Sequence, residues 1–348
     1  MANELNSLFF FGRPFGPLYG IIMRIREQLY TKQVFKQENA GVPVISVGNL
    51  VLGGTGKTPT VIYLAKLLKD QGFKPCIVSR GYGGKSKRAI NVVSDGRSIL
   101  MNVESAGDEP VLIAESLADI PIITGKKRIL PCEYAVTHLG VDIIILDDGF
   151  QHMGVSRDIN LVLFDASTLA GNSRIFPAGP LREPIAALNR TTGFLITGQN
   201  KENKKRSDLF AELLRSKFPH IPVFMAKISH PVLKDKDNKT VDGSLITDAY
   251  VFCAIANPDR VNGSVASLGI NSVGSKAYPD HRTYSQKTIT SLCMDAALAN
   301  AKCLITTSKD FVKVMHLQFT LPLYVLHIKQ EPESDFNDYL LKNISHNR

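Results

Sequence analysis

Gly53, Gly54, Thr55, Gly56, Lys57 and Thr58 stand between an apolar β-branched stretch and a segment of helical periodicity. Glycines permit backbone angles that other residues avoid, so successive N–H groups can converge on anionic oxygens beside the positive end of the helix that follows. In such a loop Lys57 reaches the β- and γ-phosphates of a nucleotide and the Thr58 hydroxyl ligates Mg²⁺. The run departs from G-x-x-x-x-G-K-[ST] at its first position, where Val51 replaces glycine.

Two pairs of adjacent acids could serve the same chemistry. "VDIIILDDGFQHMGVSRD" places Asp147 and Asp148 at the end of an apolar run, and an acid there belongs beside the phosphate loop, holding Mg²⁺ directly or through water. Gln151 and His152 follow, and either line the cleft or satisfy loop backbone. "SAGDEPVLIAESL" sets Asp108 and Glu109 before a helix that begins near Pro110. Helix starts favour acids for capping alone, and the pair equally suits one metal ligand and one general base. "PAGPLREP" frames Arg182 and Glu183 in prolines and glycines, as an ion pair or with the arginine's planar fork turned to phosphate. "YPDHRTY" offers Asp280 beside His281, and "TTSKD" lacks the spacing of the N-K-x-D guanine motif.

These residues need a scaffold to position them. Val44, Ile45 and Val47 read as a buried strand, and Val61, Leu64, Ala65 and Leu68 recur at i, i+3, i+4 and i+7, the stripe of a helix packed on a sheet. Further strands are expected at 75–79, 120–124, 141–146, 160–164 and 194–197, with helical segments between several of them, which indicates a mostly parallel sheet covered on both faces. The charged stretch "GQNKENKKRSD", 198–208, marks a domain boundary, and apolar runs at 223–228, 251–256, 303–306 and 323–328 predict a second, smaller α/β domain. The expected organisation is an amphipathic segment over 1–36, a P-loop nucleotide-binding domain over 37–200 and a smaller domain over 209–348 that closes over the active site.

Composition narrows the partners. With 348 residues, 44% hydrophobic and 21% charged, the chain reads as globular. Five scattered cysteines without a C-x-x-C pair argue for a reducing compartment and against structural zinc. A net charge of +9 suggests an acidic partner: nucleotide, nucleic acid or anionic membrane surface. No apolar run reaches transmembrane length, and Glu4 without a cationic n-region speaks against a signal peptide. Leu18, Ile21, Ile22, Ile25 and Leu29 form one apolar face with Arg13, Arg24, Arg26, Lys32 and Lys36 around it, and residues 8–11 add an aromatic cluster. Such a helix suits a membrane interface or its own domain, and periodicity alone favours the latter.

Taken in order, "VGNLVLGGTGKTP", "SRGYGG", "GDEP", "LDDGFQH", "PAGPLREP", "ANPDR", "PDHRTY" and "TTSKD" resemble the tetraacyldisaccharide 4′-kinase family of lipid A biosynthesis over nearly the whole chain. Ala256, Arg282 and Ser308 depart from the residues usual in that family. The resemblance implies a P-loop NTPase-like three-layer α/β/α domain with a second, smaller α/β domain, and an active site in the cleft between them. It implies ATP-dependent phosphorylation of the 4′-hydroxyl of a tetraacylated glucosamine disaccharide 1-phosphate, with ATP and Mg²⁺ as cofactors. Lys57 then contacts phosphate, while Thr58, Glu109 and Asp147 belong to the metal site. Asp108 is the expected base, assisted by His281, and Asp148, Arg182 and Glu183 support the site, the last two on the nucleotide side. A lipid substrate also turns the reading of residues 18–30 toward the membrane, as a peripheral or monotopic protein on the cytoplasmic face of the bacterial inner membrane.

The competing class is a membrane-associated P-loop switch ATPase or metallochaperone. A base assembled across two domains argues against it, since a switch needs only a positioned water. Nucleic-acid binding lacks any recognisable module, and no obligate protein partner is inferred.

Overall fold

The computed structural model describes residues 9–255, 257–280 and 282–345. A helix over Gly16–Thr31 leads to β1 (Val44–Asn49), the phosphate loop and the helix Lys57–Asp70. Next come β2 (Pro75–Ser79), β3 (Asn91–Asp95), the helix Asp108–Ser116, β4 (Pro121–Thr124), the helix Ile129–Leu139, β5 (Ile143–Asp147), β6 (Ile159–Asp165), β7 (Gly193–Gln199), the helix Lys204–Lys217 and β8 (Val223–Ile228). These strands, with the late β15 (Gln330–Pro332), form a nine-stranded sheet of order β15-β8-β7-β6-β1-β5-β2-β4-β3. All neighbours within it are parallel except the edge pairs β3–β4 and β15–β8.

Alternation along the central strands builds two cores. Ile45 and Val47 of β1 and Ile143 and Ile145 of β5 pack with Val61, Leu64 and Leu68 of the phosphate-loop helix. Val44, Ile144 and Leu146 point the other way, onto Ile129, Cys132 and Ala135. Strands buried on both faces read as near-continuous apolar runs, which is why "VDIIIL" was legible. All five cysteines are free and buried.

A second sheet of six strands, ordered β10-β9-β14-β13-β11-β12, lies between the departure of β8 and the return at β15. It comprises β9 (Val232–Lys234), β10 (Thr240–Val241), β11 (Ala249–Cys253), β12 (Ser272–Ala277), β13 (Cys303–Thr307) and β14 (Leu323–His327), with helices Pro258–Ser267, Gln286–Leu298 and Ser308–Val314. The change of sheet therefore falls after Ile228, not at the charged stretch 198–208, which only joins β7 to its own covering helix. The chain also comes back: β15 pairs with β8, and Phe336, Leu340 and Ile344 of the helix Ser334–Ser345 enter the first core. The expected boundaries at 200 and 348 missed this return because "QEP" is polar and contains proline, which sheets tolerate only at an edge.

The amphipathic helix packs by its small residues. A Cβ on Gly16 or Gly20 would meet Ile175, and Arg26 donates to the Gln151 carbonyl at 2.8 Å. Leu18, Ile21, Ile22 and Ile25 face away and are 51–60% exposed, so its own domain leaves that face uncovered. No helix among the described residues is long and apolar enough to cross a membrane.

Candidate active site

The phosphate loop is held from several sides. Val51 opens it in an antiparallel bridge to Leu181, with Leu52 N donating to the Pro180 carbonyl and Arg182 N to that of Leu50. This zipper to "PAGPLREP" is an extended contact that suits a β-branched residue, and it accounts for valine in place of the leading glycine. Asn49, at the end of β1, donates to the Val51 carbonyl at 2.6 Å and to that of Gly53 at 3.3 Å. Thr197 of β7 donates to the Thr55 carbonyl at 3.0 Å. Gly56 is left-handed, with φ +75°, and a Cβ there would overlap the Gln330 amide. That amide oxygen lies 2.7 Å from the Thr60 hydroxyl in the first turn of the helix.

Lys57 begins this helix, its ammonium 3.4 Å from Asn49 Oδ1 and 3.5 Å from Asp148 Oδ1. Asp148, in a left-handed turn at φ +51°, also accepts from Arg182 through both carboxylate oxygens at 3.2 Å. Burial raises the affinity of this carboxyl for a proton, but Lys57 and Arg182 outweigh it and bring its pKa below the ordinary value. Asp147 beside it has the opposite fate. Burial, then the charges of Glu109 and Asp148, push it up to about 7 against Lys57 and Arg128. It is 1% exposed, and neither of its carboxylate oxygens has a hydrogen-bond partner among the described residues. A buried acid so starved of donors suits a cation.

Asp108 and Glu109 open their helix, but its N-cap is Gly107, so capping does not consume the acids. Gly107 has φ +98°, and a Cβ would strike the Tyr82 carbonyl of the "RGYGG" loop. Asp108, largely buried, accepts from the Glu109 N–H at 3.0 Å. Facing it from the second sheet are Lys309, at 4.0 Å, and Lys313, at 3.9 Å. Lys309 also lies 3.7 Å from Glu109 and 3.1 Å from Asp280. Asp280 is thus brought to the cleft, whereas His281 lies outside the described residues.

The expected residues divide accordingly. Lys57, Asp147, Asp148 and Arg182 converge, and Asp108 and Glu109 stand on the neighbouring helix. Glu183 does not join them: both its oxygens accept from Arg190 at 2.7 Å, and Arg190 in turn pairs with Glu27 of the amphipathic helix at 3.0 Å. Its glutamate is therefore a buried brace between "PAGPLREP" and that helix. Sequence reasoning missed Asn49, Thr197, Gln330, Lys309 and Lys313. Asn49 and Lys309 stood in quoted motifs and Lys313 just beyond one, whereas nothing in the sequence marks Thr197 or Gln330.

Among the described residues no three His, Cys, Asp or Glu side chains form a ready cage for a metal ion. Mg²⁺ keeps several waters and binds through one or two carboxylates plus substrate phosphates, a demand that the buried Asp147 carboxylate fits.

A family model described as "LpxK: Tetraacyldisaccharide-1-P 4'-kinase" matches residues 8–345. The chain is 44% identical over 340 residues to a tetraacyldisaccharide 4'-kinase of Desulfotalea psychrophila, covering 98% of each. It is 38% identical to that of Syntrophus aciditrophicus, over 94% of this chain and 91% of the relative. A crystal structure of LpxK from Aquifex aeolicus in complex with ATP superposes with a TM-score of 0.77 at 30% identity, covering 95% of this chain and 98% of that one.

Proposed function

Because this chain belongs to the tetraacyldisaccharide-1-phosphate 4′-kinase family, we propose that its two sets of acids divide phosphate handling from acceptor activation. The protein is an ATP-dependent phosphotransferase that acts on the 4′-hydroxyl of a tetraacylated glucosamine disaccharide 1-phosphate in lipid A biosynthesis. Family membership disfavours the switch ATPase and metallochaperone alternative.

Lys57 and the loop N–H groups bind the β- and γ-phosphates, and Asp148 holds Lys57 and Arg182 in one cluster. Thr58, Glu109 and Asp147 are the side chains that would hold Mg²⁺, and the unpartnered oxygens of Asp147 support that assignment. When bound, the ion neutralises charge on the phosphates. Asp108 accepts the proton of the 4′-hydroxyl as the phosphoryl group arrives, and His281 assists it from the second domain. The observation that carries this reading is the approach of Asp108 to the second sheet's charged face within 4.0 Å, which places a carboxylate where the two units meet. Transfer of label from γ-labelled ATP to a lipid disaccharide acceptor tests it. Label released only to water would overturn it.

The exposed face of Leu18, Ile21, Ile22 and Ile25, flanked by Arg24 and close to Phe11 and Phe15, lies in the interface of an anionic membrane and brings the enzyme to its lipid substrate. Replacing Ile21, Ile22 and Ile25 by serine releases the folded protein from anionic vesicles, since each branched side chain contributes about 1.5 to 3 kcal/mol when buried. Undiminished vesicle binding by the triple variant would refute the membrane role.

A further inference from the structure

Lys309 owes its position to a short, heavily anchored helix. Ser308–Val314 follows β13 without a linker, and Thr307 caps it by accepting from the Asp310 N–H at 3.1 Å. Asp310 is wholly buried, where it accepts from the Ala254 N–H at 2.9 Å and from the hydroxyls of Thr307 at 2.8 Å and Tyr284 at 3.2 Å. With its first turn fixed in this way, the helix presents Lys309 and Lys313, four residues apart, on one face. That face meets the start of the helix Asp108–Ser116. The Lys309 side chain is 19% exposed, and its ammonium touches carboxylates from both units: Asp280 of its own, and Asp108 and Glu109 of the other.

Three carboxylates lie within 4.0 Å of the Lys309 ammonium, and a second ammonium, that of Lys313, stands 3.9 Å from Asp108. Lys313 cannot replace Lys309 at Glu109. Its stem is buried, and its ammonium sits 2.9 Å from Asp310 without an aligned hydrogen bond among the described residues. Among the described residues Lys309 is the cation paired with Glu109, and Glu109 is in turn the leading charge acting on Asp147.

We propose that Lys309 is a positioning residue that competes with the divalent cation for Glu109, so that entry of the metal with nucleotide displaces a lysine carried by the second domain. The inference rests on the reading of Glu109 as a metal-site acid. Its consequence is a coupling: the ammonium that bridges the two units is the group the metal must move, so filling the nucleotide site alters the hold of the second domain on the cleft. Reciprocity follows, because two cations that exclude each other from one carboxylate each weaken the other's binding equally.

Binding of Mn²⁺ with a non-hydrolysable ATP analogue, followed by electron paramagnetic resonance on the full chain, tests this without turnover. Lys309→Met, which keeps the apolar stem and removes the charge, lowers the Mn²⁺ concentration for half-saturation about fivefold or more. Lys309→Gln shifts it in the same direction, and Lys309→Arg stays within about twofold of wild type. Unchanged or weaker Mn²⁺ binding in the folded uncharged variants overturns the competition. Glu109→Gln separates the two levels of the argument. If it weakens Mn²⁺ binding while the Lys309 variants do not strengthen it, the competition is wrong and the metal site stands. If Glu109→Gln leaves Mn²⁺ binding unchanged, the metal-site reading fails and the proposal fails with it.

Discussion

Two pairs of adjacent carboxylates approach one cleft and differ in where their counter-charges originate. Asp147 and Asp148 end β5, and the cations acting on them, Lys57, Arg182 and Arg128, all belong to the first sheet and its connections. Asp108 and Glu109 open a helix of the same unit, but the ammonium groups beside them, those of Lys309 and Lys313, come from the second unit. One pair is complete as soon as strand, loop and helix have folded. The other acquires its electrostatic setting only when the two units dock. Phosphate binding needs the first kind of permanence, whereas proton removal from an acceptor benefits from a setting that changes as the cleft closes and water leaves.

The strongest test of that division is Asp108→Ala, for which transfer to the disaccharide falls roughly a hundred- to ten-thousandfold, the range of a general base, while ATP affinity changes little. A parallel loss of ATP affinity would dissolve the distinction between the pairs. Lys57→Ala, on the other side, lowers turnover at least about a hundredfold through lost stabilisation of the migrating phosphoryl group. Unlike Asp108→Ala it also weakens ATP binding, and the fold persists. A folded Lys57→Ala protein with near-normal turnover would remove the loop assignment.

The same division explains what was legible in the sequence. Lys57, Asp147 and Asp148 were readable because an apolar run followed by a glycine loop or an acid pair already implies the strand end on which they sit. Asp108 and Glu109 were visible as residues but ambiguous in role, since capping produces the same pattern. Glu183 was read toward the nucleotide, yet Arg190, seven residues on, claims both its oxygens. Nothing local distinguishes an arginine that turns back from one that faces solvent. Lys309 and Lys313 lay in "TTSKD" and just beyond it, where their partners are some 200 residues away in sequence and appear only with the docking of the sheets. The exposed isoleucines of the first helix gave a clear stripe, but periodicity cannot say whether such a stripe is covered.

A smaller effect tests whether the phosphate pair is as self-contained as its local charges suggest. Gln330 is the first residue of the returning strand β15, and it stands against the phosphate loop at Thr60 and Gly56. The Thr60 hydroxyl lies 2.7 Å from the Gln330 amide oxygen and 2.9 Å from the Gly56 carbonyl, with one proton to give. Gln330→Ala removes a buried acceptor worth roughly 1 to 1.5 kcal/mol, so ATP binding weakens up to about tenfold. Isothermal titration with ATP measures it. Unchanged affinity would show that the loop keeps its shape without the returning chain, and would sharpen the contrast between the two pairs.

The smallest effect concerns pH. His152, five residues past Asp147, is pushed down to about 4 by burial and then by the charges of Arg128, Arg26, Arg157 and Arg80, all of them in the first unit. In the unfolded chain an imidazole titrates near 6.5. Above about pH 6.5 the ring is neutral in both states and contributes no pH dependence. Between about 6.5 and 4 the unfolded chain takes up a proton that the folded chain refuses, so stability falls as pH falls through that window. Asp147, raised to about 7, acts with the opposite sign: the folded protein holds its proton where the unfolded chain has lost it, so acidification from about 7 toward 4 favours the fold. The two partly cancel in the wild type, and a variant is needed to separate them. Thermal melts from pH 7 to 4.5 show a shallower acid decline in His152→Gln than in wild type. Because the arginine field belongs to the first unit, the same difference persists in a Lys309→Met background. An identical slope with and without the imidazole would remove His152 as an acid-sensitive group, and a difference that vanished in the Lys309→Met background would mean the docking of the second unit sets the field around both acid pairs.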